Sequence, residues 1–266
     1  MNSLHVERDG AVTTIVRSRI EARNAMDPAS ADALHDALVA FDRDPSQHVA
    51  VLWGAGGAFC AGWDLKHVST LTAKERLAAL DFPNDGGKIP RGPLGPTRLE
   101  LSKPVIAAVA GPAVAGGMEL ALWCDLRVME ETAYFGVYCR RWGVPLIDGG
   151  TVRLPRIVGR GRALDIILTG RKVPAEECYR IGLCERLVPH AESRKAAEAL
   201  AHEIARFPQE CMRADRRSVW LQEGLSEREA LRAEWKNSAR IVEIEGAAGA
   251  ARFAAGKGRH GDFADI

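Results

Sequence analysis

Two segments of this chain repeat one plan, and that plan limits the fold more than any other feature. "HVAVLWG" is an uninterrupted apolar run of strand length that passes straight into the glycine-rich loop "GAGGAFCAGWDL". "KPVIAAVAG" does the same, running through a second glycine-rich loop into the helical stretch "MELALWC". Runs of this kind fit strands buried on both faces, which need other elements packed on each side. Two strand–glycine loop–helix units in register predict an α/β fold built from repeated β–β–α turns.

The rest of the chain can be placed around these units. Two short strands are expected near Leu4 to Glu7 and Ala11 to Arg17. A helix follows over "MDPASADALHDALVAFDRD", with Asp27 as its N-cap and Pro28 at the first helical position. "FPNDGGKIPRGPLGPT" is dense in proline and glycine and reads as an irregular surface excursion, a lid over a site being the functional alternative. Beyond Pro145 the pattern is mostly helical, through "GGTVRLPRIVG", "RALDIILTG" and "PAEECYRIG", then the strand-like "CERLVP". From His190 onward amphipathic helices dominate, broken at Pro208 and Gly224. Val219, Leu221, Leu225, Leu231, Trp235, Ile241 and Ile244 recur there at helical spacing. A region that thin cannot hide so many large side chains against itself, so it is expected to pack on another subunit. The expected organisation is a core over residues 1–195 and a helical oligomerisation region over 196–266.

Composition excludes several classes of function. In 266 residues, 36 Lys and Arg stand against 35 Asp and Glu, which argues against a surface built for nucleic acid or an anionic membrane. No apolar signal region or membrane-length apolar run is present, so a soluble, cytoplasmic protein is expected. The six cysteines form no CxxC pair and the seven histidines no HExxH, so neither a disulfide framework nor a zinc site is expected. Most of the thiols read as small core residues. Walker, GxSxG and GxGxxG signatures are missing too.

One residue does not fit an apolar reading. Glu119 sits alone in "GPAVAGGMELALWCD". Burying an unpaired carboxylate is costly, so such a group finds a partner or shifts its pKa. It either faces solvent, pairs with an arginine, or is an acid/base catalyst, and the segment by itself leaves these open.

The motifs "KPVIAAVAGPAVAGGMELALWCD", "AFCAGWDL" and "GGTVRLPRIVGRGRALDIILTGRKVPAEECYRIGLCERLVP" resemble the crotonase (enoyl-CoA hydratase/isomerase) superfamily, in order, over nearly the whole chain. The resemblance implies a spiral of β–β–α repeats, a C-terminal helical trimerisation region, and a coenzyme A thioester as substrate. Coenzyme A is then part of the substrate, and no separate cofactor is expected. It implies an oxyanion hole made by the backbone amides of Trp63 and Gly116, with Glu119 as general acid/base one turn on. Ala61 and the loop before it resemble the segment that accepts the adenine end of coenzyme A. Lys257, in "FAAGKGRHG", is a candidate for a phosphate contact across a subunit boundary, a solvated tail lysine being the alternative. Asp64 reads as a helix N-cap.

The chain departs from the hydratase pattern at one point. Family hydratases carry a second glutamate in the segment here written "FGVYCRRWGVPLIDGG", where the aligned residue is Cys139. Asp148 is the compensating candidate, one residue from a position where some family members carry a catalytic aspartate. Its structural alternative is an ion pair with Arg140 or Arg141. The expected activity is hydration or dehydration of a 2-enoyl-CoA, with double-bond isomerisation as the close rival. A catalytically weak coenzyme A- or RNA-binding protein is the alternative of another class. A homotrimer or a hexamer of stacked trimers is the expected assembly.

Overall fold

A computed structural model describes residues 3–72, 80–83 and 87–258 of the chain. It divides into two compact units, Met1–Ala201 and His202–Ile266.

The first unit is the spiral. Strands β1 (Leu4–Asp9), β2 (Val12–Arg17), β3 (Val49–Gly54), β4 (Val105–Val109), β5 (Pro112–Val114), β6 (Leu126–Glu130), β7 (Tyr134–Gly136), β8 (Lys172–Pro174) and β9 (Arg186–Val188) form two sheets. The larger runs β1-β2-β3-β4-β6-β9 and the smaller β5-β7-β8. The β1–β2 pair is antiparallel and every later pair of the large sheet is parallel. Two turns of the spiral send one strand into the large sheet and the next into the small one. β4 leads to β5, a buried helix returns, then β6 leads to β7. The loop after β3 joins the small sheet through a parallel bridge from Cys60 to Ala113. The two glycine-rich "loops" of the sequence are therefore partly short strands, too brief to carry a period that sequence alone could reveal.

Burial follows the apolar pattern. All five residues of β4 are buried, as are five of six in β3, in keeping with a parallel sheet covered on both faces. The edge strand β1 is half-buried only at Leu4 and Glu7 and exposes His5, Val6, Arg8 and Asp9. Helix α1 (Pro28–Arg43) buries Ala31, Leu34, Leu38 and Phe41 along one stripe. It begins as expected, with the Asp27 carboxylate accepting from Ser30 N and Pro28 in the first turn. A short helix α2 (Leu65–Ser69) follows, and α3 (Gly116–Trp123) has all eight residues buried. Such a helix has no solvent side to offer a carboxylate. Helices α4 (Gly150–Val158), α5 (Arg160–Thr169) and α6 (Ala175–Arg180) follow, and the boundary of the unit falls within α7 (Ser193–Ala205).

The second unit holds α8 (Gln209–Leu221), α9 (Glu227–Ile241) and α10 (Ala247–Ala254), with breaks at Pro208 and Gly224 as read from the sequence. None of these three helices has a buried residue, and Val219, Leu231, Trp235 and Ile244 are exposed. Five of the six cysteines are buried and Cys211 is exposed.

Candidate active site

The start of α3 packs against the loop after β3 so tightly that side chains are excluded. A Cβ on Gly117 would lie 2.0 Å from the Cys60 carbonyl oxygen, and one on Gly62, at φ +89°, would lie 3.0 Å from Gly116 N. Ala115, the residue before the helix, is held at φ 54° and ψ −128°, a strained conformation for a residue with a side chain. Gly116 and Trp63 thereby line the same cavity, of about 200 Å³. Among the described residues neither backbone N–H has an acceptor: Gly116 opens its helix, and the Met26–Trp63 bridge uses the carbonyl of Gly62 and the N–H of Asp64. Two unengaged donors on residues lining one cavity, one of them at a helix N-terminus, are an arrangement able to accept developing negative charge.

Glu119 lies in the wall of this cavity and is 2% exposed. Its Oε1 accepts from Asp148 N at 2.9 Å and Gly150 N at 2.7 Å, and among the described residues it forms no ion pair with an arginine. Burial, and then the negative charge of Asp148, raise its pKa from the ordinary carboxylate range to about 8, against the lowering effect of those two N–H groups and Arg153. That range suits proton transfer near neutral pH.

Asp148 lines the same cavity and is 3% exposed. Its carboxylate makes no pair with Arg140 or Arg141. It accepts from Leu94 N at 2.9 Å and from the Thr97 hydroxyl. Arg140 instead reaches the Ile167 carbonyl and Arg141 stacks on Tyr138. Burial raises Asp148 to about 6, with Thr97, Leu94 N, Arg98 and Arg153 opposing.

These partners correct the expectation for the proline–glycine segment. Residues 87–89 are exposed, but every residue from Gly92 to Thr97 is buried, and Gly92 and Gly95 pair with each other through both N–H groups. Residues 84–86 lie outside the described residues. The second half of the segment is an inner wall, not an excursion, because Leu94 contributes to the core and Leu94 N and Thr97 hold Asp148. Sequence reasoning missed Leu94, Thr97 and Arg153. Only Arg153 left a trace, as a charge in an otherwise apolar helix start.

Cys139 is buried and lines the cavity. Burial, and then the neighbouring Glu119, push its thiol above the usual value, which disfavours a thiolate. Ala61 is half-buried at the cavity edge. Tyr138, Trp142, Val144 and Ile147 add an apolar and aromatic lining. Asp64 caps α2, accepting from Lys66 N and His67 N, and pairs with Arg19 at 2.6 Å. Lys257 belongs to the second unit and is exposed there. Among the described residues no cluster of His, Cys, Asp or Glu is placed to hold a metal, and no helix is long and apolar enough to cross a membrane.

A two-sheet spiral with a buried glutamate set one turn past a free helix-start amide defines a crotonase-fold enzyme. The family model described as enoyl-CoA hydratase/isomerase matches residues 7–254, and the chain belongs to that family. It is 36% identical over 234 residues to enoyl-CoA hydratase EchA19 of Mycobacterium tuberculosis, spanning 85% of this chain and 84% of that one. It is 37% identical over 204 residues to carnitinyl-CoA dehydratase of Salmonella typhi, spanning 76% and 74%. The crystal structure of an enoyl-CoA hydratase from Mycobacterium tuberculosis aligns over 96% of both chains with a TM-score of 0.86 at 32% identity. One from Bacillus anthracis gives a TM-score of 0.86 at 28% identity over 96% of both.

Proposed function

We propose that this enzyme adds water reversibly to the double bond of a 2-enoyl-CoA thioester. The observation that carries the reading is the single cavity in which Glu119 stands beside the unengaged N–H groups of Trp63 and Gly116. The thioester oxygen accepts from those two amides, which hold the negative charge that moves onto it as the enolate forms. Glu119 then carries the proton between water and the substrate carbons. Asp148, the second carboxylate of the cavity, shares the proton handling. Ala61 and the loop before it take the adenine end of coenzyme A, and Lys257 contacts a phosphate of a neighbouring subunit's substrate. Coenzyme A arrives with the substrate, so the reaction needs no separate cofactor.

Cys139 favours a second reading. A thiol cannot divide acid and base duties with Glu119 as a second carboxylate would, whereas double-bond isomerisation needs only a proton shuttle. Incubating the enzyme with a panel of enoyl-CoA thioesters and identifying products by mass and double-bond position separates the two. A hydroxyacyl product supports hydration, a moved double bond isomerisation, and no conversion of any member sinks both.

The enzyme is proposed to act in the cytoplasm as a homotrimer or a hexamer of two trimers. The exposed apolar side chains of α8, α9 and α10 support a subunit interface there. Sedimentation at micromolar concentration should give one of these masses, and an active monomer would exclude both.

A further inference from the structure

Arg153 stands on the first turn of α4, half-buried, behind the two carboxylates. Its guanidinium forks between two segments distant in sequence, with Nη1 donating to the Asp148 carbonyl at 2.9 Å and Nη2 to the Thr97 carbonyl at 2.8 Å. The fold leaves room for this fork at Gly149, where φ is +96° and a Cβ would fall 2.1 Å from Nη1. Thr97 in turn donates its hydroxyl to the Asp148 carboxylate, and the N–H groups of Asp148 and Gly150 both point at Glu119. One side chain therefore fixes the backbone on each side of the acidic pair.

We propose that Arg153 is a positioning residue: it clamps the 97 and 148 segments so that Asp148 N and Gly150 N hold Glu119, and places a fixed positive charge behind the carboxylate that moves the proton. This rests on the acid–base reading of Glu119. Other groups share that field: Asp148 and Cys139 face Glu119, Arg98 faces Asp148, and Arg156 and Cys124 act on Arg153 itself. Arg153 and the two N–H groups favour the charged form of Glu119, against burial and Asp148. The sign follows. Without the cation Glu119 holds its proton to higher pH, so any step that needs it ionised has its acid limb moved upward. Lysine keeps the charge but cannot bridge both carbonyls as a planar fork does.

The experiment compares wild type, R153M, R153K and R153Q on whichever enoyl-CoA the wild type turns over, with kcat and KM measured across pH and folding checked by circular dichroism and thermal melting. R153M should lose at least about tenfold in kcat with KM changed less than about threefold, and its acid limb should lie at higher pH. R153K should return the limb towards its wild-type position with the rate only partly restored. A folded R153M with wild-type kcat and limb overturns the proposal. So do equal losses in R153M and R153K with the limb unmoved, which mark a merely structural role. Should R153M not fold, R153Q and R153K decide: the limb must rise in the first and not in the second, and coincident limbs overturn it. E119Q run alongside separates the two failures. An active E119Q removes the reading beneath the proposal, whereas an inactive E119Q beside a silent R153M removes Arg153 alone.

Discussion

The two walls of the cavity are built by different means. One wall, Cys60 to Trp63 against Gly116 to Glu119, is joined by close backbone approach: glycines admit the contact, and an apolar helix buried all round carries the acid. The other, Leu94 to Thr97 against Asp148 to Arg153, is joined by side chains reaching across about fifty positions of sequence. The first wall holds the two amides and the glutamate to which the proposed reaction assigns the oxyanion and the proton. The second holds Asp148, whose negative charge helps to raise the pKa of Glu119. Both walls join segments distant in sequence, so they differ in the kind of contact, backbone against backbone in the first and side chain against backbone in the second.

The largest effect that tests this division is loss of the carrier itself. Glu119→Gln keeps the shape and can still accept from Asp148 N and Gly150 N, but no longer titrates. Turnover should fall at least about a hundredfold, while calorimetry should show retained binding of a coenzyme A thioester. Near-normal turnover would end the assignment.

Next in size comes the backbone contact. Gly116→Ala brings its Cβ to 2.6 Å from Leu94 Cδ2, the flexible end of a side chain, whereas Gly117→Ala drives a Cβ to 2.0 Å from the Cys60 carbonyl oxygen. The second cannot be relieved by a rotamer, so it must part the loop from the helix start. We expect G117A to lower kcat by about tenfold to a hundredfold, short of the roughly hundredfold to thousandfold cost of a fully lost oxyanion donor, and G116A to cost less. The reverse order, with both variants folded, would show that close approach is not what assembles this wall.

How much could be read without coordinates follows the same division. The strands over 49–54 and 105–109, the cap at Asp27, the helix breaks at Pro208 and Gly224, and the isolated Glu119 all come from local rules of period, cap and cost of burial. Resemblance to a family supplied Trp63 and Gly116 as donors. The second wall was not legible. Proline and glycine predict turns, and residues 92–97 are a bridged turn running into a short 3-10 helix, but they say nothing about whether that backbone is exposed. Only the partners of Asp148 reveal that it is not. Nor does spacing show that Arg153, rather than Arg140 or Arg141, lies behind the carboxylates, because α4 must first be docked.

A smaller effect comes from the second wall alone. Asp148→Asn retains an oxygen able to accept from Leu94 N and Thr97 but removes a negative charge beside Glu119. Since that charge helps to hold Glu119 at about 8, its removal lets Glu119 ionise at lower pH. The acid limb of kcat/KM should move downward, opposite to the shift expected for R153M, with a loss in kcat within about tenfold. An unmoved limb would mean that the two carboxylates are not coupled. A loss as large as that of Glu119→Gln would raise Asp148 from the lesser to an equal share of the proton handling.

The smallest effect is a gain, and it asks whether the departure at Cys139 limits water addition. The residue borders the 200 Å³ cavity, so the longer side chain of Cys139→Glu has open space beside it and need not overpack the core. A carboxylate there can take a proton from water while Glu119 serves the substrate carbon, the division of duties that a single glutamate lacks. It also adds a like charge near Glu119, which raises the Glu119 pKa further, so the gain should be largest on the alkaline side of the present optimum. Hydration of a short 2-enoyl-CoA should rise by a few-fold to about tenfold, with no matching rise in double-bond migration. Equal hydration in both proteins across the pH range would show that Glu119, with Asp148 behind it, already suffices. The thiol would then be a neutral replacement, and the second wall would contribute more to catalysis than tuning.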